Sequence, residues 1–127
     1  MIIKPERLKL VHHDLIKVIE AAAPLMPWDI MVIEGARTIE RQRELVAQGA
    51  SQTMNSRHIP GTDLLCKAAD LAPAPDGKPS WAWPLYHVLA EHMKAAAGTL
   101  GIQIEWGGDW TSFKDGPHWQ LPHSTHP

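Results

Sequence analysis

With 127 residues, 44% of them hydrophobic, the chain is long enough for one compact domain, spanning 1–127, and too short for two. A formal net charge of −2, with the basic residues scattered, gives no long-range pull on polyanions and argues against nucleic-acid binding. No apolar run reaches the roughly 18 residues that span a bilayer, and the N-terminus carries Lys4, Glu6, Arg7 and Lys9 where a signal peptide would be apolar. The lone Cys66 excludes an internal disulfide and suits a reducing compartment. These features predict a soluble protein made in the cytosol with no membrane insertion, and a monomer is expected.

From Pro5 to about Ala23, Leu8, Val11, Leu15, Ile19 and Ala22 recur at helical spacing, with Pro5 suited to a first turn and Pro24 and Pro27 ending the run. His12 and His13 fall on this helix as boundary and surface residues. Asp29 to Ala36 reads as a strand through the β-branched run Ile30-Met31-Val32-Ile33. A second helix is expected from Thr38 to Gln48, stopped by Gly49. Asn55 to Lys67 reads as loop, Lys67 to Ala72 as a short strand, and Pro73 to Pro79 as a surface turn. A third helix starts after Ser80 as N-cap, buries Leu85, Leu89, Met93, Ala96 and Leu100, and closes at Gly101. Strands follow at Ile102–Trp106 and His118–Leu121, around a glycine-punctuated loop from Gly107 to Gly116. The fold class expected is α+β, a small mainly antiparallel sheet covered by about three helices.

The chemistry concentrates in a few polar residues. Ser56-Arg57-His58, Asp70 and Asp115-Gly116-Pro117-His118 supply two imidazoles, a carboxylate, and a second carboxylate three residues before the last imidazole. These are the parts of a catalytic zinc site, which keeps three protein ligands and an open position for water beside a carboxylate that can take a proton. Rival sets fit less well. No His-Glu-x-x-His occurs, and His87 and His92, five apart, do not share a helix face. His123 and His126 lie in a Pro-flanked tail where disorder is the default, and Cys66 reads as a small packed residue. Six tryptophans, five of them in the second half, read mainly as core, with a cleft wall as the functional alternative.

Ser56-Arg57-His58-Ile59-Pro60-Gly61, then Ala68-Ala69-Asp70-Leu71 and Asp115-Gly116-Pro117-His118, resemble the signature of the zinc D-alanyl-D-alanine peptidases. Gly35-Ala36-Arg37-Thr38 with Gln42 and Leu45, and Glu105-Trp106-Gly107-Gly108-Asp109-Trp110 with Phe113, resemble blocks of that family's phage endolysin branch, the L-alanyl-D-glutamate peptidases. The resemblance runs from about Ile33 to Leu121. One departure is Thr62 to Lys67, which intervenes where the family has a single residue, and makes Asp63 a competitor for the second ligand. Asp70 is preferred because a strand holds a ligand more rigidly than a loop tip, and Ala68 and Ala72 on its face leave room for a metal.

The resemblance implies a fold like that of the hedgehog and D,D-peptidase domains, with zinc bound by His58, Asp70 and His118. It further implies Asp115 as general base, Arg37 steadying the oxyanion, Ser56 contacting substrate, and the peptidoglycan stem peptide as partner. An endolysin without a signal peptide would wait in the host cytoplasm until release to the periplasm and wall, and without a second domain its wall affinity would come from the cleft. A D,D-carboxypeptidase or dipeptidase, and a non-catalytic zinc-stabilised cell-wall binding module, are the alternatives.

Overall fold

A computed structural model describes residues 1–51 and 56–127; Asn55, the expected start of the loop before the second strand, lies outside the described residues. The elements are β1 (Ile2–Ile3), a 3-10 turn (Pro5–Leu8), α1 (His13–Ala22), β2 (Asp29–Glu34), α2 (Ile39–Ala47), β3 (Ala68–Ala74), α3 (Trp83–Leu100), β4 (Glu105–Trp106) and β5 (His118–Gln120). They form an α+β fold around one five-stranded sheet of order β1-β2-β3-β5-β4. Among the strand pairs of the described residues β1–β2 alone is parallel, and an isolated bridge between Val11 and Cys66 is parallel as well.

The first expected helix is broken in two. Leu10 adopts a left-handed φ of 68°, and tertiary hydrogen bonds replace the helical ones there: Cys66 N–H donates to Leu10 O, and His12 N–H to Cys66 O. His12 then caps α1, its Nδ1 accepting the Asp14 N–H at 3.0 Å. Thr38 caps α2 in the same way, through Oγ1 and the Arg41 N–H. Helix α3 begins two residues later than expected, with Ala82 rather than Ser80 at the cap position; Ser80 Oγ instead accepts the Ala82 N–H. Its buried face is Tyr86, Leu89, Ala90, Met93, Ala96 and Ala97, while Leu100 is exposed, and Gly101 ends the helix at φ 69°.

Pro73 and Ala74, expected in a turn, extend β3 opposite Ile30 and Asp29. A proline is tolerated there because β5 pairs only with Ala68 to Asp70, so no ladder hydrogen bond is lost. The strand at Ile102–Trp106 shortens to its last two residues.

Side chains alternate across the sheet. Ile30, Val32, Ala69, Leu71 and Trp119 join Leu15, Val18 and Ile19 of α1 and Leu89 and Met93 of α3 in one apolar core. Trp119 and Trp106 stack in it, with centroids 5.8 Å apart. The opposite face carries Asp70, His118 and Gln120. Val32 pairs with Leu71, yet Glu34 pairs with Asp70, so β2 holds one extra residue between them. This bulge turns Glu34, which strict alternation would leave on the core face, to the face that bears Asp70.

Candidate active site

Asp70 stands directly opposite Glu34 on β2 and His118 on β5. Opposed residues on neighbouring strands sit about 5 Å apart, so the sheet itself assembles a row of three polar side chains. His58 reaches this row from the loop before β3. Its Nδ1–H donates to Gly35 O at 2.8 Å, which leaves Nε2 bare, 3.2 Å from Asp70 Oδ1. His118 uses the other tautomer: Nε2–H donates to Gln120 Oε1 at 2.7 Å, and Nδ1 lies 3.4 Å from Asp70 Oδ1. Gln120 Nε2 donates onward to Glu105 Oε2 at 3.1 Å, so its amide is fixed with oxygen toward the ring. These partners assign the tautomers.

The three donor atoms lie within 4.8 Å of one another, and the two rings meet edge to face. Lone pairs converging on one point repel unless a cation or proton sits between them, and imidazoles whose other nitrogen is anchored are the usual dress of a metal site. The electrostatics agree. With protons rather than an ion between the rings and the carboxylate, the facing nitrogens of His58 and His118 donate to Asp70, and these bonds outweigh the rise from burial and hold its carboxyl well below the usual carboxylate range. Burial lowers His118, and the Asp70 carboxylate more than offsets it, raising the imidazole. Two imidazoles and one carboxylate fit zinc, whose catalytic sites use three such ligands.

Asp115 is held beside this group by its backbone. Its N–H donates to Gly107 O at 3.0 Å, and its carbonyl accepts from His118 N–H at 3.2 Å. A Cβ on Gly107 would lie 2.3 Å from Asp115 O and 3.1 Å from His118 Cβ, so only glycine allows the two segments to approach. Burial, then the negative charge of Asp70, push Asp115 above its ordinary value.

Arg37 is clamped. Nε and Nη2 donate to the two carboxylate oxygens of Glu34 at 2.6 and 2.9 Å, Nη1 donates to Gln42 Oε1 at 2.7 Å, and the backbone N–H donates to His58 O at 2.7 Å. A bidentate fork of this kind fixes the guanidinium plane. Ser56 Oγ accepts the His58 N–H at 3.2 Å and lines the same cleft. Asp63 lies apart from the imidazoles, exposed and bonded through both oxygens to Lys67 Nζ at 2.9 Å.

The cleft, about 650 Å³, has two sides. Sheet order puts Glu34, with Arg37 bonded to it, on the β2 side of Asp70, and His118 on the β5 side, where the Trp110 ring stands 5.0 Å from its imidazole. A second hollow of about 500 Å³, beside the Pro5–Leu8 turn and α1, lacks converging donors of this kind.

The C-terminal tail is ordered by contacts across the chain, contrary to the disorder expected of it. Arg57 donates to Leu121 O and His126 O, and His126 Nε2 donates to Asp14 Oδ2 at 2.8 Å, a bond that holds Asp14 below the usual carboxylate range. His12, Asp14 and His126 also form a compact group. The Nδ1 lone pair of His12 is spent on the helix cap, however, which leaves the proton on Nε2 and makes the group a clamp rather than a ligand set. His123 lines the cleft. Glu34 and Gln120 escaped sequence reasoning; for Gln120 the signal was its position two residues after His118 on the same strand face.

The sequence profile of the phage L-alanyl-D-glutamate peptidases matches residues 4–121. The L-alanyl-D-glutamate peptidase of Listeria phage A118 is 36% identical over 107 residues, 80% of this chain and 35% of that protein, so the chain spans about a third of its length. The L-alanyl-D-glutamate peptidase of Escherichia phage T5 is 30% identical over 114 residues, 87% of this chain and 80% of that one. The crystal structure of the Serratia marcescens L-Ala D-Glu endopeptidase ChiX superposes with a TM-score of 0.87 at 43% identity, over 96% of this chain and 88% of its own. With a profile match over nearly its whole length and a shared fold behind it, the chain belongs to the phage L-alanyl-D-glutamate peptidase family.

Proposed function

We propose that the chain is a monomeric zinc peptidase domain that hydrolyses the L-alanyl-D-glutamate bond of peptidoglycan stem peptides and serves as a phage or prophage endolysin. The observation that carries this reading is the convergence of His58 Nε2, Asp70 Oδ1 and His118 Nδ1, each imidazole anchored through its other nitrogen. These three residues would hold the ion. Zinc with three protein ligands supplies Lewis acidity and lowers the pKa of water at its open position.

The chain's own groups do the rest. Asp115, held beside the ligands by Gly107, takes the proton of the attacking water and returns it to the leaving amine; a carboxyl raised by burial suits both halves of that shuttle. Arg37 keeps N–H groups beyond those bound to Glu34 and Gln42, and its fixed plane can present them to the developing oxyanion without reorganisation. Ser56 orients substrate from the lip that also positions His58. A purely structural zinc would recruit a fourth protein ligand, which disfavours the binding-module reading for a three-donor group with a carboxylate standing by. Among the described residues no helix is long and apolar enough to cross a membrane; the proposed route is release from the host cytoplasm to the wall.

Removal of metal tests the reading. Chelation should abolish hydrolysis of purified peptidoglycan, and zinc should restore it, with about one equivalent bound per chain. Full activity in protein shown by elemental analysis to be metal-free would overturn it.

A further inference from the structure

Phe113 is held where a phenylalanine is uncomfortable. Its φ of 53° is an outlier for a bulky residue, and its side chain is 72% exposed. Such strain persists only where the surroundings over-determine it, and it gathers at functional sites. Here the loop is tied at both ends to one atom: Gly107 O accepts the N–H groups of Trp110, at 3.3 Å, and Asp115, at 3.0 Å. Phe113, on the short loop between them, and Trp110 both line the cleft.

We propose that Trp110 and Phe113 form a saccharide subsite, which takes the apolar face of the amino sugar carrying the stem peptide. The proposal rests on the stem-peptide reading above. The bond after the first alanine lies one residue and a lactyl group from the sugar, and a chain unit spans at most about 3.6 Å. The sugar therefore falls within roughly 7 Å of the scissile carbonyl, on the rim of this cleft. The β2 side of the rim is charged and hydrogen-bonded, which suits peptide amides and carboxylates. The β5 side offers aromatic faces, whose negative π-clouds attract the C–H groups on one face of a pyranose ring. The enzyme so built prefers glycan-linked stems to free peptides.

Two measurements test this. The kcat/KM of the zinc-loaded enzyme should be at least tenfold higher for a soluble disaccharide-linked stem peptide than for the same peptide without sugar, mainly through KM. In Phe113→Ala the ratio of the two values should fall toward one, and Phe113→Tyr should restore it. Separately, N-acetylglucosamine trimer, which has no peptide bond, should bind saturably, quench tryptophan fluorescence, and bind at least fivefold more weakly to Phe113→Ala. Equal use of both substrates by the wild-type enzyme, or an equal loss on both in Phe113→Ala, would overturn the subsite and assign the rim to peptide. Absence of saturable trimer binding would overturn it too. Trimer binding by a protein that cleaves neither substrate would instead overturn the peptidase reading and leave the subsite standing.

Discussion

Asp115→Asn should retain its metal and lose turnover by about 10²-fold or more, the usual contribution of a positioned general acid–base group. The substitution keeps the shape of the side chain, and the turn is held by backbone hydrogen bonds to Gly107 and His118 that an amide does not disturb. What it removes is the proton acceptor. The pH profile makes the same point: burial and the charge of Asp70 raise Asp115, so its ionised form is present above that raised pKa and is lost as pH falls through it. The acidic limb that this ionisation gives the wild-type profile should therefore vanish in Asp115→Asn. Loss of metal by the variant would place Asp115 among the ligands, and wild-type turnover would reduce it to a turn residue.

Asp70→Ala should lose metal and activity together, and by more than the roughly 10–100-fold that follows removal of a residue that only orients a ligand. Two anchored imidazoles remain in the variant, but the carboxylate that both face is gone. Asp63→Ala is the matched control. It breaks the pair with Lys67 on an exposed loop and touches neither imidazole, so metal content and turnover should stay near wild type. Metal content by mass spectrometry and hydrolysis of purified peptidoglycan check both variants. The reverse pattern would mean that the five-residue insertion has been placed on the wrong side of the ligand.

His58, Asp115 and His118 could be proposed from sequence because metal chemistry favours particular residue types, and the structure brings all three to one cleft. The choice between Asp63 and Asp70 could only be argued, since chain distance says little about register; in the structure Asp70 pairs with His118. Periodicity placed α3 and its glycine stop but missed the break at Leu10, where hydrogen bonds to Cys66, 56 residues away, override a helical pattern. The β2 bulge was equally hidden, because a bulge exists only relative to a partner strand. Without it the anchoring of Arg37 on Glu34 could not be foreseen. The tail clamp joins His126 to Asp14 across nearly the full chain, beyond the reach of any local signal.

Mass analysis of the stem peptides released from purified peptidoglycan bears most directly on the central claim, that this metal-ready cleft cuts between L-alanine and D-glutamate. The account predicts peptides with a new D-glutamate N-terminus, glycan strands left intact, and loss of these products on chelation. Release of terminal D-alanine in their place would contradict it and assign the site to a carboxypeptidase.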